Sequence, residues 1–556
     1  MSADNIPFYD VVQIGYGPVS EIMALALARQ GRSVAVFERW RERFALPRAV
    51  CIDHELYRVL SALGMGKELP AVSHSGPQYR WFNAEWKELL SIDWSAESIS
   101  GGPEVNFVHQ PTLEKMFEDV VQACPNVNIN LGWEAVEAIQ TADYAQLVVR
   151  DFETGETRTV RCKYLIGADG ANSFVRQAIG STQEDRGFEA DWLVIDVLPH
   201  EGVTLDIPPA AQYCNPLRPT TIVPAGVKDG RYFRRWEFMR LPHETVEDIE
   251  NEDVAWKLLE PWVKRDQATM VRHKLYTFRG LLANTWRKGR MLIAGDAAHL
   301  MPPFMGQGMC AGLRDAWNLA WKLNLVLDGQ AGDELLDTYQ PERRPHVSDV
   351  IDMSIYLGKV ICVPDPAKAA ERDEAFFSGK APPLPAFPSL TDGILRRGPD
   401  GAVQAPAGLL SPHGRVRSGD RQGRFDDVVG LGFVLVSRSA AVESELGKPQ
   451  RAFLDALGAR RVVVAAAGTE AGPDAWVDLD NKFIPYMAQH NIEAMLVRPD
   501  FYLYGAVSKA SDINQLGDDL QADLERYGLR HSNPVEAQTT VSPVCTFQSS
   551  KNVNVL

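Results

Sequence analysis

The chain has 556 residues, which is too long for a single hydrophobic core and predicts two or three domains. Hydrophobic residues make up 45 % of it and charged residues 23 %, as is usual for a globular protein in water. The net charge of −16 disfavours nucleic acids and anionic membranes as partners, because both attract basic surfaces.

The sequence also argues against secretion and against a membrane anchor. Its first ten residues, "MSADNIPFYD", lack the basic and apolar segments of a signal peptide, and no apolar run is long enough to cross a bilayer. The seven cysteines are scattered, with no CxxC pair and no Cys/His spacing typical of zinc sites. We therefore expect a cytoplasmic protein without a metal site or a disulfide framework.

The first elements form a βαβ unit. Residues 10–15 ("DVVQIG") predict a buried strand, residues 20–31 a helix that ends at Gly31, and residues 33–38 ("SVAVFE") a second buried strand. Further along the chain, the patterns predict helices at 53–64 and 113–124, a buried strand at 163–170, antiparallel strands within 190–280, a strand at 291–294, and strands at 431–436, 461–466 and 493–497.

The turn after the first strand has the composition of a dinucleotide-binding loop. Gly15 and Gly17 allow a tight turn and a close approach of a pyrophosphate, and the helix that follows offers unpaired N–H groups. Ser20 stands where the fingerprint has its third glycine, and a small residue is expected to suffice there. Glu38, at the end of the second strand, is placed to accept hydrogen bonds from a ribose diol.

A second passage, "GRMLIAGDAAHLMPPFMGQG" at 289–308, combines a strand end, two prolines and a glycine-rich helix start. Asp296 follows the strand, where ligands gather in open α/β sheets. Pro302 and Pro303 stiffen the chain, and Gly306-Gln307-Gly308 opens a helix whose first N–H groups suit an anionic ring oxygen. An ordinary capped helix would not require this combination.

These two motifs, with "GADGANSFVR" at 167–176 between them, resemble those of the FAD-dependent aromatic hydroxylases, the single-component flavoprotein monooxygenases. The resemblance covers about residues 8–360. It implies an α/β fold in which a Rossmann-like FAD-binding domain is interleaved with an antiparallel-sheet substrate domain. It further implies flavin reduction by NADH or NADPH, reaction with O2 to a C4a-hydroperoxide, and hydroxylation of a small phenol.

The resemblance also implies which residues hold FAD. Glu38 would bind the adenosine ribose, Asp296 the ribitol, and the amides of Met309 and Cys310 the flavin C2 carbonyl oxygen. Cys310 departs from the family, which often has Asn there. The complete set of expected cofactor-binding residues is Gly15, Gly17, Pro18, Val19, Ser20, Glu38, Arg39, Arg48, Gln110, Asp169, Asp296, Pro303, Gly306, Gly308, Met309 and Cys310.

Within this family the chain resembles 3-(3-hydroxyphenyl)propionate hydroxylases and related phenol hydroxylases. The similarity rests on "RRWEFM" (234–239), "TYQPERRPHV" (338–347) and a last part that resembles their thioredoxin-like domain. No cysteine lies between 363 and 544, so this domain cannot exchange disulfides, and we expect a structural role or a role in a homodimer.

The catalytic residues are not determined by the sequence. His299 and Pro303 lie beside the flavin motif, although a histidine after such a strand end is more often a packing or hydrogen-bonding residue. Tyr213, Arg234 and Trp236 are candidates for the wall of the substrate site. Alternation places Arg234 and Trp236 on one face of their strand and Arg235 and Glu237 on the other, and leaves open which face lines the site.

We expect the FAD-binding domain to comprise residues 1–75, 100–188 and 276–363, and the substrate domain 76–99 and 189–275. A linker at 364–408, a thioredoxin-like domain at 409–530 and a tail at 531–556 would follow. Alternatives to a small phenol are a nitrophenol, a halophenol or a polyketide aromatic. A different class of function would be a non-catalytic, flavin-binding redox sensor.

Overall fold

The computed structural model of the chain describes residues 6–529 except 44–45, 77 and 469–474. The predicted tail at 531–556 lies outside the described residues. Residues 6–182 contain strands β1 (Phe8–Ile14), β2 (Val34–Glu38), β3 (Cys51–Asp53), β4 (Ser73–Ser75), β5 (Gln78–Phe82), β6 (Glu88–Asp93), β7 (Val105–Val108), β8 (Val127–Leu131), β9 (Trp133–Gln140), β10 (Ala145–Asp151) and β11 (Thr157–Gly167). The helices of this part are α1 (Pro18–Ala28), α2 (His54–Leu60), α3 (Leu69–Val72), α4 (Gln110–Gln122) and α5 (Phe174–Ala178).

The middle of the chain holds the long strands and the two longest helices. Its strands are β12 (Gln183–Pro199), β13 (Ala210–Tyr213), β14 (Thr220–Lys228), β15 (Arg231–Met239), β16 (Ala268–Ala283), β17 (Arg287–Lys288), β18 (Met291–Ile293) and β19 (His299–Leu300). Its helices are α6 (Val246–Ile249), α7 (Glu252–Leu259), α8 (Gly308–Leu327) and α9 (Tyr339–Ile361).

The last part begins with α10 (Pro366–Phe377), a helix within the segment predicted as a linker. Its N-cap Asp365 accepts hydrogen bonds from the amides of Ala367 and Lys368, which explains why a helix forms in a proline-rich stretch. The remaining elements are β20 (Arg415–Ser418), β21 (Arg421–Arg424), α11 (Phe425–Val429), β22 (Val434–Ser437), α12 (Ala441–Glu445), α13 (Lys448–Ala456), β23 (Arg460–Ala466), β24 (Ala475–Asp478), α14 (Phe483–Gln489), β25 (Ala494–Val497), β26 (Leu503–Val507) and α15 (Ile513–Arg526).

The first sheet is the predicted Rossmann-like sheet. Strands β18, β11, β1, β2 and β8 lie side by side in this order and run parallel. Strand β1 is buried along its second half, and α1, which follows it, packs against α8. The carboxyl ends of β1, β11 and β18 therefore meet at one edge.

The second sheet is antiparallel over most of its width, as predicted for residues 190–280, and has the order β19-β16-β12-β15-β14-β13-β5-β6. Strand β12 has 17 residues and β16 has 16, and the two strands pair from one end to the other, from Gln183↔Ala283 to Pro199↔Ala268. The expected domain boundary at 188/189 falls inside β12 for this reason. One face of the sheet packs on Trp256, Leu259 and Val263, and the other faces the first sheet.

The last domain has a thioredoxin-like core, which confirms the predicted fold class. Strand β22 pairs in parallel with β23 and antiparallel with β25, which pairs with β26, giving the order β23-β22-β25-β26. Helix α13 joins the first two strands, and α15 follows the last. Leu435, Leu446 and Leu516 of this domain share a hydrophobic cluster with Trp321 of α8, so the domain packs directly on the helix that begins at the flavin motif.

Candidate functional site

A cavity lies between the carboxyl edge of the parallel sheet and one face of the antiparallel sheet. One wall comes from the three sequence motifs, with Gly17, Pro18, Val19, Gly170, Asp296, Pro303, Gly306 and Gly308, and from Arg48, Gln110 and Met309. The opposite wall comes from the second sheet and neighbouring loops, with Tyr79, Trp94, Phe107, Val194, Gln212, Thr221, Val223, Arg235, Glu237, Arg272, Tyr276 and Phe278. Segments far apart in sequence thus converge on one space.

The first motif forms the tight turn that the sequence predicts. Gly15 has φ +94°, and a Cβ there would lie 2.3 Å from the Ala168 carbonyl oxygen, so only glycine fits. A Cβ at Gly17 would meet no atom within 4 Å, which leaves the space in front of the turn open. Helix α1 begins with Pro18 and has no side-chain cap, so its first N–H groups remain available for an anion.

Glu38 lies at the end of β2, beside the first motif. Its carboxylate accepts hydrogen bonds from the backbone amides of Tyr16 and Trp40, both at 3.0 Å. These two bonds fix the carboxylate next to the α1 turn. A carboxylate held in this way still has lone pairs for the hydroxyl groups of a ribose.

Asp169 and Gly170 come shortly after the end of β11 and lie next to the turn of the first motif. The Asp169 Oδ2 atom accepts a hydrogen bond from the amide of Val175 at 3.1 Å. Its Oδ1 atom is buried and has no hydrogen-bond partner among the described residues. Burial raises the pKa of this carboxyl, although hydrogen bonds to Ser173 and backbone amides oppose the effect.

The passage from Asp296 to Met309 follows β18 along the floor of the cavity. Gly306 has φ +65°, a left-handed conformation that favours glycine, and it turns the chain into α8. Helix α8 begins at Gly308 with no side-chain cap, and a Cβ at Gly308 would approach only Met301, at 3.8 Å. The first amides of α8 are therefore free of a capping side chain and can be approached from the cavity.

The loop at 47–49 closes one end of the cavity and is held from two sides. The Gln110 Oε1 atom accepts hydrogen bonds from the amides of Arg48 and Ala49, at 2.7 and 2.5 Å. The Arg235 guanidinium donates to the carbonyls of Pro47 and Arg48, at 2.7 and 2.6 Å. A side chain of the second sheet thus positions a loop that faces the flavin motifs.

The structure decides which face of β15 lines the cavity. Arg235 and Glu237 face it, whereas Trp236 and Phe238 are buried in the opposite core with Trp256. The wall candidates Tyr213, Arg234 and Trp236 do not line this cavity. Tyr213 lies in a separate cleft stacked on Trp86, and Arg234 donates to the carbonyls of Pro208 and Pro209.

His299 also lies away from the cavity. It is 1 % exposed, and its Nε2 atom is 2.6 Å from Asp315 Oδ2 on α8. Asp315 pairs at the same time with Arg343 of α9, at 2.9 Å. His299 therefore acts as a packing and hydrogen-bonding residue: it links the passage at 289–308 to α8 directly and to α9 through Asp315.

Six expected cofactor residues lie outside the cavity lining as well: Gly15, Glu38 and Asp169, described above, and Ser20, Cys310 and Arg39. Ser20 is buried, with its hydroxyl 2.8 Å from the side-chain amide of Gln13, and thereby lets α1 sit close to β1. Cys310 is buried behind the start of α8. Arg39 stacks on Trp40 in a surface cleft beside Glu38.

Sequence reasoning did not single out Glu237, Arg272 or Gln212 as site residues. Glu237 lies in β15, whose second half is buried on both faces, so alternation alone gives two equivalent candidate faces there. The only sequence signal was the charge on the Arg235/Glu237 face, since charged residues are rarely buried without a role.

The arrangement fits a dinucleotide with a ring system. Two uncapped helix starts, an open space in front of Gly17 and the Asp296 carboxylate line one continuous space. Glu38 and Asp169, whose Oδ1 atom has no partner among the described residues, adjoin the turn of the first motif. Each is a group that a pyrophosphate, a sugar hydroxyl or a polar ring edge would complete.

Comparison with known proteins agrees with this geometry. A family model described as FAD binding domain matches residues 9–354, more than half of the chain, and a model described as HcaD C-terminal domain matches residues 408–523. The sequence is 33 % identical over 518 residues to a Rhodococcus jostii (strain RHA1) protein named probable NADH-specific resorcinol 4-hydroxylase, covering 92 % of this chain and 94 % of that protein. The chain belongs to the FAD-dependent aromatic hydroxylases.

A second relative supports the same family, and two solved structures share the fold. The hydroxylase is 32 % identical over 513 residues to a 3-(3-hydroxy-phenyl)propionate/3-hydroxycinnamic acid hydroxylase of Mycolicibacterium gilvum (strain PYR-GCK), covering 88 % of each chain. The structure of aklavinone-11 hydroxylase with FAD and aklavinone superposes with a TM-score of 0.75 at 21 % identity, covering 94 % of this chain and 100 % of that chain. The flavin-dependent monooxygenase PieE gives 0.73 at 21 % identity, covering 93 % and 99 %.

Two further properties concern metals and membranes. Among the described residues, no cluster of His, Cys, Asp or Glu side chains could hold a metal ion. No helix in the described ranges combines the length and apolar character that a bilayer crossing requires.

Proposed function

We propose that this hydroxylase uses NADH and O2 to add one hydroxyl group to a small phenol bound in the cavity. The observation that carries the proposal is the cavity itself, whose one wall consists of flavin motifs and whose other wall is a buried sheet face with a few polar groups. A ring placed between the walls would lie against the flavin and be oriented by the sheet.

The residues of the first wall have complementary roles in the proposed FAD site. The α1 start at Gly17–Val19 binds the pyrophosphate, Glu38 the adenosine ribose and Asp296 the ribitol. The early amides of α8, at Met309 and Cys310, bind the polar edge of the flavin ring through backbone atoms, so the buried Cys310 side chain needs no contact. Asp169 and Gly170 lie where the pyrophosphate meets the route of the nicotinamide.

The role of the protein in this chemistry is to orient the substrate and to exclude water. Bound FAD supplies electron transfer from the nicotinamide to O2 and delivery of one oxygen atom to the aromatic ring. Phe107, Phe278, Phe304 and Met305 line the cavity and keep it apolar around the ring. A dry cavity protects the activated oxygen from release as hydrogen peroxide.

The substrate class follows from the relatives and from the chemistry of the second wall. Relatives of this chain are named for resorcinol and for 3-(3-hydroxy-phenyl)propionate, both phenols with a single ring. The second wall offers Tyr79, Gln212 and Tyr276 as neutral hydrogen-bonding groups. We therefore place a phenol like resorcinol or 3-(3-hydroxyphenyl)propionate ahead of a nitrophenol, a halophenol or a polyketide aromatic.

The test is NADH oxidation by the purified, FAD-loaded protein in the presence of a panel of phenols. Resorcinol, 3-(3-hydroxyphenyl)propionate, 4-nitrophenol, a chlorophenol and an anthracycline aglycone cover the alternatives, and NADPH replaces NADH in a parallel series. We expect resorcinol or 3-(3-hydroxyphenyl)propionate to stimulate NADH oxidation more than the other compounds do, and to gain 16 mass units. A yellow protein whose NADH consumption no phenol stimulates would instead be a flavin-binding sensor.

We also propose that the enzyme is a cytoplasmic homodimer that binds neither nucleic acid nor membranes, in line with its net charge of −16. The thioredoxin-like domain is then a structural unit, since its sequence has no cysteine pair for disulfide exchange. Light scattering after gel filtration measures the mass, and a monomer at micromolar concentration would contradict the dimer.

A further inference from the structure

We propose that Glu237 is the group that takes the proton of the substrate's ring hydroxyl. The inference rests on the proposed function and names the base within the same cavity. Glu237 lies in β15, is 7 % exposed and faces the cavity. Its strand neighbours in register are Thr221 on β14 and Val194 on β12, so it stands in the middle of the second wall.

The Glu237 carboxylate is buried without a hydrogen-bond donor of its own. Its closest cation is Arg235, with 3.8 Å between Arg235 Nη1 and Glu237 Oε1, which is too long for a hydrogen bond. The Arg235 guanidinium is already engaged by Asp196 and by the carbonyls of Pro47 and Arg48. No group in the described part of the chain donates a hydrogen bond to Glu237. A ligand hydroxyl would supply the hydrogen bond that this carboxylate lacks.

A second side chain with an unpaired polar atom, Arg272, lies on the same wall. Arg272 contacts Asp196, with Nη2 2.7 Å from Oδ2, and donates from Nη1 to the Tyr276 hydroxyl at 3.1 Å. Its Nε atom is buried and has no partner among the described residues. Besides its neutral hydrogen-bonding groups, the wall therefore holds an acceptor that lacks a donor, Glu237, and an arginine that has a nitrogen without a partner, Arg272. A phenolic hydroxyl and its oxygen require such a pair.

The charges of this wall balance before and after the proton moves. Asp196 and Glu237 carry two negative charges, and Arg235 and Arg272 carry two positive ones. When the substrate O–H bond breaks, its proton bonds to a Glu237 oxygen and the electron pair stays on the ring oxygen. The total charge is unchanged, so the transfer avoids burying an additional charge. A substrate carboxylate at this position would add an uncompensated negative charge.

The acidity of Glu237 suits this role. Burial raises the pKa of its carboxyl, while Arg235 and Arg272 lower it and Asp196 raises it. Cys51 and Tyr79 also face it, and burial keeps both protonated, because it raises the pKa of each. A raised carboxyl pKa lies closer to that of a phenol and makes proton transfer more efficient.

The test compares Glu237→Gln and Glu237→Asp with the wild type and with Glu189→Gln. Glu189 lies in β12 of the same sheet, and its exposed side chain pairs with Arg279, so it serves as a matched control. All proteins are assayed for FAD content, resorcinol binding, coupled hydroxylation and the pH dependence of kcat. In Glu237→Gln we expect normal FAD content, a kcat lower by about 10²–10⁴-fold and loss of the acid limb of the pH profile.

Two features separate a proton acceptor from a merely structural residue. The Glu237→Asp variant should keep the acid limb and recover part of kcat, and the deficit of Glu237→Gln should shrink along a series of 2-substituted resorcinols of increasing acidity. The control should match the wild type. A Glu237→Gln variant within threefold of wild-type kcat, or one whose acid limb persists, would overturn the assignment.

The remaining outcomes are also decisive. Loss of FAD in both Glu237 variants would show that the carboxylate serves the fold and would overturn the assignment as well. A wild type that hydroxylates no phenol would overturn the proposed function, and the inference with it. A wild type that hydroxylates resorcinol beside an unchanged Glu237→Gln variant would overturn only the role of Glu237.

Discussion

The guanidinium of Arg235 donates a hydrogen bond to the backbone carbonyl of Arg48, with 2.6 Å between Nη1 and the oxygen. This bond joins the middle of the antiparallel sheet to a loop that faces the flavin motifs. The same guanidinium is paired with Asp196, so the loop is attached to a rigid, buried side chain. The two walls of the cavity are thereby held at a fixed separation.

Replacing Arg235 with Met should loosen this loop and weaken FAD binding. The variant leaves two backbone carbonyls without a donor, although Asp196 keeps Arg272 as a partner. Breaking a buried charged pair typically destabilises a protein by about 3–5 kcal/mol, so we expect a lower melting temperature and a larger Kd for FAD. Arg231→Met, an exposed position on the same strand, should change neither in fluorescence titrations.

Gly15→Ala should abolish FAD binding. The added Cβ would lie 2.3 Å from the Ala168 carbonyl oxygen, so the turn or the end of β11 must move away from the pyrophosphate position. Gly31→Ala is the matched control, because Gly31 also has a positive φ, +76°, but no atom lies within 4 Å of its Cβ. We expect the control to lose about 1 kcal/mol of stability and to bind FAD normally. Normal flavin content in Gly15→Ala would contradict the placement of the pyrophosphate.

Asp296→Ala should reduce FAD affinity by about tenfold or more. A hydrogen bond to a charged group contributes about 1.5–3 kcal/mol, and the ribitol hydroxyls would lose their acceptor. Asp143→Ala, an exposed position in a surface turn, is the control. Equilibrium dialysis measures both constants, and equal FAD affinity in the two variants would remove Asp296 from the site.

Arg498→Met should destabilise the whole chain and not only the thioredoxin-like domain. Arg498 is buried and pairs at 2.6 Å with Asp500 and with Glu342 of α9, which also pairs with Lys322 of α8. Removing it leaves buried carboxylates with too few cations, at a cost of about 3–5 kcal/mol. The exposed Arg526→Met is the control. Separate melting of the two parts in the variant's calorimetric scan would contradict this coupling.

His413 should make the protein less stable in mild acid. Burial lowers its pKa from the ordinary 6.5 to about 4, although Asp426 opposes the effect. The pKa of His413 is lower in the folded state than in the unfolded state, so the unfolded chain binds a proton more readily between pH 6.5 and pH 4. The free energy of unfolding therefore falls by about 3 kcal/mol as the pH falls from 6.5 to 4. The buried His346 acts in the same direction.

The measurement is the melting temperature from pH 7.5 to 4 for the wild type and His413→Gln. The glutamine can still donate a hydrogen bond to the Ser100 carbonyl, which His413 Nδ1 contacts at 2.9 Å. We expect a flatter pH dependence in the variant. Parallel curves would show that His413 does not titrate in this range.

The convergence of the three motifs on one wall of the cavity was predictable from sequence because their signals are local. Gly15, Glu38 and Asp296 lie at or just beyond the ends of buried strands, and parallel strands bring their carboxyl ends to one edge. The second wall was not predictable in the same way. Strand β15 is buried on both faces, so its alternation could not tell the Arg235/Glu237 face from the Trp236/Phe238 face until the strands on either side were placed.

Long-range polar contacts were also beyond local reasoning. The Tyr502 hydroxyl of the last domain donates to Glu55 at 2.9 Å, and Glu55 pairs with Arg314 of α8 at 2.6 Å. Arg314 in turn donates to Gln307, at the start of that helix, at 3.0 Å. These partners are separated by up to 447 residues, and no sequence spacing encodes such a pairing.

The most direct test of the account is the fate of labelled oxygen. Purified protein loaded with FAD is supplied with NADH, resorcinol and ¹⁸O2, and the aromatic product is analysed by mass spectrometry. We expect one ¹⁸O atom per product molecule and one NADH consumed for each. A product that takes its oxygen from water, or NADH consumption that yields only labelled hydrogen peroxide with every phenol tested, would contradict hydroxylation in this cavity.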